Sequence, residues 1–151
     1  MTDPRKSKVC DARIISLTKR STEVGDLVIY QGDEGRFFSP LRVYFLYDIP
    51  SEAERGGHAH KELEQTIIAM SGSFDVILKD GQTESITTLN QPTVGLTLPP
   101  GLWRELKGFS GGAICLVLAS HPYEEGDYIR DIDDFIDWKL QVNQESHEQS
   151  I

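Results

Sequence analysis

Short runs of branched and aromatic residues recur along this chain, each closed within a few residues by glycine, proline, aspartate or serine. Ile14–Leu17, Leu27–Gln31, Arg42–Asp48, Gln65–Met70, Phe74–Lys79, Ile86–Leu89, Val94–Leu98, Trp103–Leu106 and Ala113–Ala119 are such runs. Segments this short, rich in β-formers and bounded by turn residues, read as strands. Ser71-Gly72 predicts a tight hairpin between its neighbours, and Asp80-Gly81 makes the next turn. Many short strands at regular spacing imply an all-β sandwich or barrel. Only near the end does the period change: Ile132, Phe135, Ile136 and Leu140 follow helical spacing, and Asp131, Asp133 and Asp134 suit the positive helix start. That helix is expected to cover one end of the β-structure, and the polar residues 143–151 are expected to fray. The length of 151 residues fits one domain, spanning 1–151 with its core at about 10–138.

Charge narrows the possible partners. With 24 acidic against 15 basic residues, the formal charge of −9 argues against nucleic acids and anionic membranes. It leaves room for one small anion in a local basic pocket. No apolar stretch reaches the ~18 residues of a membrane span, and the polar, charged beginning is unlike a signal peptide, so a cytoplasmic location is expected. Cys10 and Cys115 lie far apart; Cys115, inside the apolar run 113–118, reads as a buried reduced thiol.

The segment richest in chemistry is Gly56-Gly57-His58-Ala59-His60. Residues two apart on a strand face the same side, so the two imidazoles point together. Such a pair serves as metal ligands, as an acid–base pair because histidine titrates near pH ~6.5, or merely as polar residues on a wet strand face. The surrounding pattern, His58-x-His60-x4-Gln65-x6-Gly72 followed by Gly95 and Pro99-x-Gly101-x2-Arg104, resembles the two sequence motifs of cupins. In metal-binding cupins the place of Gln65 is taken by glutamate and that of Arg104 by a third histidine. Arginine is cationic and offers no lone pair, so it repels a divalent ion where imidazole would bind one. Glu64 would supply a carboxylate one position early, from the opposite strand face. The resemblance thus implies a cupin-type antiparallel β-barrel, or jelly roll, with a short C-terminal helix and no metal or other cofactor.

A longer set of strings is more specific: Arg42-Val-Tyr44-Phe-Leu-Tyr-Asp48, Arg55-Gly-Gly-His58-Ala-His60-Lys61, Leu63-Glu-Gln65, Pro99 to Glu105, Tyr123-Glu-Glu and Asp127-Tyr-Ile-Arg130. Together they resemble the WxcM-like sugar 3,4-ketoisomerases over roughly residues 10 to 138. Members of that family move the carbonyl of a dTDP-4-keto-6-deoxyhexose from C4 to C3 through an enediol, a step of deoxyamino-sugar biosynthesis. The resemblance implies dTDP-4-keto-6-deoxyglucose as substrate and a homodimer with exchanged N-terminal strands. It makes His58 the base at C3, His60 a proton relay to the sugar oxygens and Tyr44 a donor to the enolate oxygen. Arg42, on the face of Tyr44, suits either the diphosphate or a surface ion pair. Gln65, Arg104, Trp103 and Arg130 are expected at the substrate, although Trp103 suits the core equally and Arg130 would also serve to tie the helix down. His121, just before Pro122, is read as a structural residue at the rim, and Val24 is expected near the pocket. Family members with arginine at the place of Arg104 and those with histidine differ in product, and Arg104, a poor proton donor, favours the gluco configuration at C4. A non-catalytic sugar-nucleotide-binding cupin and a metal-dependent cupin enzyme are the competing readings.

Overall fold

The computed structural model describes residues 2–31 and 38–148. Twelve strands are present in this range: β1 (Arg13–Ser16), β2 (Thr18–Thr22), β3 (Gly25–Ile29), β4 (Arg42–Leu46), β5 (Arg55–His60), β6 (Gln65–Ser71), β7 (Phe74–Lys79), β8 (Glu84–Leu89), β9 (Val94–Leu98), β10 (Trp103–Lys107), β11 (Ile114–Ala119) and β12 (Tyr128–Ile129). They form two five-stranded sheets, ordered β1-β9-β6-β11-β4 and β12-β5-β10-β7-β8, and a separate β2–β3 hairpin. All pairings are antiparallel. The expected all-β jelly roll is therefore present as a sandwich: its two sheets are not joined by hydrogen bonds into a closed barrel.

Strand alternation builds the core between the sheets. Ile67 and Ala69 of β6, Leu96 and Leu98 of β9 and Cys115 and Val117 of β11 face Phe74, Val76 and Leu78 of β7, Leu89 of β8 and Leu106 of β10, all buried. The Cys115 thiol is buried as expected, and burial pushes its pKa up to about 12, which leaves it unreactive. A smaller cluster on the outer face of the first sheet joins Leu17, Ile68 and Leu118 to Val28, Tyr30 and Phe38.

The β2 strand has no counterpart in the sequence reading because Thr18-Lys-Arg-Ser-Thr22 is polar and exposed throughout, with no apolar alternation. Val24, expected near the pocket, stands instead at the tip of this hairpin and is 97% exposed.

The C-terminal helix α1 runs from Ile132 to Glu148, farther than expected. Asp131 starts it by accepting the Asp133 and Asp134 amides at 2.9 and 3.0 Å. Phe135, fully buried, seats it on Ala59, Trp103 and Ile129. Residues 143–148 do not fray because Arg5, distant in sequence, grips Glu145 through two hydrogen bonds of 2.8 Å; residues 149–151 lie outside the described range. Lys139 then joins the ends of the chain to the site, its ammonium donating to the Ser7 carbonyl at 2.5 Å and the Gly101 carbonyl at 2.9 Å. Gly101 in turn donates its amide to the His60 carbonyl at 2.8 Å. A side chain at Gly101 would meet the Pro4 carbonyl, and its φ of +86° also favours glycine.

Candidate active site

A bulge positions the first histidine. Opposite β10, Arg104 pairs with His58 but Glu105 pairs with Gly56, so Gly57 is the extra residue; it has a φ of +69°. The bulge ends before His58, and normal alternation then sends His58 and His60 to the interior face while Ala59 packs beneath α1. The two imidazoles do share a face, edge to face with centroids 4.9 Å apart.

Beneath them lies a chain of hydrogen bonds whose direction one residue fixes. Arg104 can only donate, and it gives one N–H to Gln65 Oε1 at 2.5 Å and another to the Leu102 carbonyl at 2.7 Å. The amide oxygen of Gln65 is thereby committed, so its NH2 points to the Tyr44 hydroxyl at 3.2 Å and to His60 Nε2 at 3.4 Å. His60 Nε2 must then be the lone-pair nitrogen and Nδ1 carry the proton, which goes to Asp127 Oδ2 at 2.8 Å. Asp127 is itself held by the Glu62 amide at 2.7 Å. Tyr44, accepting from Gln65, keeps its own O–H free to donate toward the cavity. Glu64 faces away and is exposed, so no carboxylate replaces Gln65.

His58 is placed differently. Its ring hydrogen-bonds the Gly56 backbone, while Nε2, also buried, has no partner. His58 lines a cavity of about 600 Å³ together with Arg42, Tyr44, Glu54, Arg55, Gly56, Tyr123, Tyr128 and Arg130. Burial, reinforced by the cations Arg104, Arg130 and Arg42, lowers the His58 pKa to about 4. The same causes, burial first, hold His60 far below the ordinary imidazole range. Arg104, also lowered by burial to about 10, remains protonated at neutral pH. The site thus combines a neutral base with a positive surround.

The residues expected at the site divide three ways. His58, Tyr44, Arg42 and Arg130 line the cavity. Arg130 is held by Glu125 at 2.7 Å rather than by α1. Gln65, Arg104 and His60 do not line it; they are buried and joined to one another by hydrogen bonds. Trp103 does not belong to it. As the neighbour of inward-facing Arg104, it points to the other face of the sheet, packs on Phe135 and donates to Glu105 at 2.9 Å. His121 is exposed and bonds Ser120, outside the cavity. Asp127, Tyr123 and Tyr128 were missed as site residues. The Asp127-Tyr-Ile-Arg130 string signalled them, but a two-residue strand has too little periodicity to show which side chains turn inward.

The fold is of the cupin class, and its pocket brings together imidazoles, phenols and guanidiniums, with no cluster of three His, Cys, Asp or Glu side chains that could hold a metal ion among the described residues. A family model described as FdtA, WxcM-like, C-terminal matches residues 10–140, and the chain belongs to that family. It is 40% identical over 133 residues to a TDP-4-oxo-6-deoxy-alpha-D-glucose-3,4-oxoisomerase of Aneurinibacillus thermoaerophilus, covering 88% of this chain and 96% of the other. Among solved structures it resembles QdtA, a sugar 3,4-ketoisomerase from Thermoanaerobacterium thermosaccharolyticum in complex with TDP, with a TM-score of 0.85, 36% identity and coverage of 89% and 98%. It also resembles the TDP-quinovose 3,4-ketoisomerase WlaRB of Campylobacter jejuni, with a TM-score of 0.80, 41% identity and coverage of 85% and 98%.

The low pKa of His58 has a consequence for kinetics. A base must be unprotonated, and the neutral form is lost only as pH falls through about 4. For the substrate proposed below, kcat/KM should therefore stay flat from about pH 8 down to about pH 5, where an unperturbed imidazole would already fail below ~6.5. A pH–rate profile, or titration of the His58 ring proton by NMR, checks this.

Proposed function

We propose that this chain is a TDP-sugar 3,4-ketoisomerase that converts dTDP-4-keto-6-deoxyglucose into its 3-keto isomer. The observation that carries the reading is that His58, whose Nε2 has no hydrogen-bond partner among the described residues, lines a large cavity rimmed by Arg42 and Arg130. The two guanidiniums suit the diphosphate. His58 removes the C3 proton, acidified by the neighbouring ketone, and a proton is then delivered to C4. Tyr44 donates a hydrogen bond to the oxygen on which charge develops. Gln65 and Arg104 orient Tyr44 and add positive potential beneath the enediolate.

Cupins commonly hold a divalent ion, and the residues here do not fit one. A guanidinium occupies the amide oxygen of Gln65, the His60 Nδ1 proton goes to Asp127, and Glu64 is turned away. Proton transfer by side chains is sufficient for this isomerisation, since the carbon oxidation levels merely exchange within one molecule.

Incubated with dTDP-4-keto-6-deoxyglucose, the protein should form the 3-keto sugar, as followed by NMR, and should do so after dialysis against a strong chelator. His58→Asn should lower the rate by ~10²–10⁴-fold while TDP binding survives. Activity that depends on added metal, or a His58→Asn variant at the wild-type rate, would contradict the proposal.

The product should have the gluco configuration. In a gluco hexose H3 and H4 lie on opposite faces of the ring, so this product requires C4 to be protonated on the face away from His58, by solvent rather than by Arg104, which is committed to Gln65 and Leu102 and does not readily release a proton. The likeness to a TDP-quinovose ketoisomerase, quinovose being 6-deoxyglucose, supports this. A large diaxial H4–H5 coupling in the product is expected; a small one would mean the galacto form.

A homodimer with exchanged N-terminal strands completes the proposal. The β2–β3 hairpin pairs only with itself among the described residues, its tip exposes Val24, and the edge strand β4 exposes Val43 and Phe45 at 56% and 58%. Sedimentation equilibrium should give about twice the 17.0 kDa of one chain, and deleting residues 18–29 should leave monomers.

A further inference from the structure

We propose that Tyr128 is a second catalytic group: its phenol carries a proton between the two sugar oxygens while His58 takes the proton from C3. The inference rests on the isomerase reading above and assigns a task which that reading leaves open. Moving a carbonyl from C4 to C3 requires O4 to gain a proton and O3 to lose one. Sequence reasoning gave this relay to His60. In the structure His60 is fully buried, its Nδ1 bonded to Asp127 and its Nε2 facing the Gln65 amide. It does not line the cavity.

Tyr128 does. β12 pairs with β5 so that Tyr128 lies opposite His60, and its ring covers both imidazoles, with centroids 5.0 Å from His58 and 4.3 Å from His60. Its oxygen accepts a hydrogen bond from Arg42 Nη2 at 3.0 Å, so its own proton is free for the cavity. Arg42 forms no ion pair with a carboxylate among the described residues, and Arg130 lies over the Tyr128 ring at 4.2 Å. A phenolate formed here would rest directly on a guanidinium. Tyr44, the other phenol of the cavity, is supported by a neutral amide, and burial pushes its pKa up. Tyr44 is therefore suited to donating a hydrogen bond and Tyr128 to giving up its proton.

The steps balance. His58 takes the C3 proton, the C3–H electron pair forms the C3=C4 bond, and the carbonyl pair moves to O4. O4 takes the phenolic proton of Tyr128, giving the enediol and a phenolate held by Arg42. The phenolate then removes the proton from O3. The O3 electron pair forms the new carbonyl at C3, the C3=C4 pair takes a proton from solvent at C4, and His58 releases the C3 proton to solvent. Both side chains end as they began.

Tyr128→Phe keeps the ring and loses the proton carrier. In deuterium oxide with dTDP-4-keto-6-deoxyglucose, this variant should still exchange the C3 hydrogen for deuterium within about threefold of the wild-type rate, since His58 is intact. Net formation of the 3-keto product should fall roughly 10²-fold, mainly in kcat. Retained exchange also shows that the variant is folded, and TDP binding gives a second check. Isomerisation at the wild-type rate, or parallel loss of exchange and isomerisation, would overturn the role of Tyr128. A wild-type protein that neither exchanges nor isomerises this sugar would instead overturn the proposed reaction, and the role of Tyr128 with it.

Discussion

The hydrogen bond from Arg104 to Gln65 sets the polarity of the whole site. An amide can present either its oxygen or its nitrogen to a neighbour, and an imidazole either tautomer. A guanidinium has no such freedom. Once Arg104 holds the Gln65 oxygen, the direction of every bond from Tyr44 through His60 to Asp127 follows. The cost is a buried cation with no carboxylate against it among the described residues, where its Nε also lacks a partner. The same unbalanced charge makes the cavity attractive to a diphosphate and to an anionic intermediate.

That local field runs against the charge of the chain as a whole. The protein carries a formal charge of −9, yet three arginines converge on His58 and help keep it neutral. Aromatic rings separate them: Arg42 lies 5.1 Å from the Tyr44 ring and 5.6 Å from that of Tyr123, and Arg130 covers Tyr128. Arg42, stacked on rings and without a carboxylate pair among the described residues, keeps N–H edges available, whereas Arg130 is also bound by Glu125 through hydrogen bonds of 2.7 and 2.9 Å.

What the sequence revealed follows from periodicity. The strands with apolar alternation were legible, as was the shared face of His58 and His60, because a period of two needs only a few residues to declare itself. The hairpin strand β2 was hidden by its uniformly polar composition. The length of α1 depended on Arg5, more than a hundred residues away. For Trp103 the sequence leaves substrate and core both open, although two consecutive strand residues cannot both face the cavity and its neighbour Arg104 points inward. Which residue does what depended instead on hydrogen bonds between β5, β6, β10 and the Asp127 loop, which no local pattern encodes.

The placement of Arg104 also bears on how such an enzyme lives in a cell. A cupin that relies on a metal must compete for the right ion, loses it by dissociation and can be filled with the wrong one. A guanidinium anchored through the backbone of β10 is loaded as soon as the chain folds and cannot be exchanged. It has no accessible second oxidation state, so the pocket gains a fixed positive charge without gaining reactivity toward oxygen. On the proposed reaction, readiness follows from folding and assembly and does not depend on trace-metal supply.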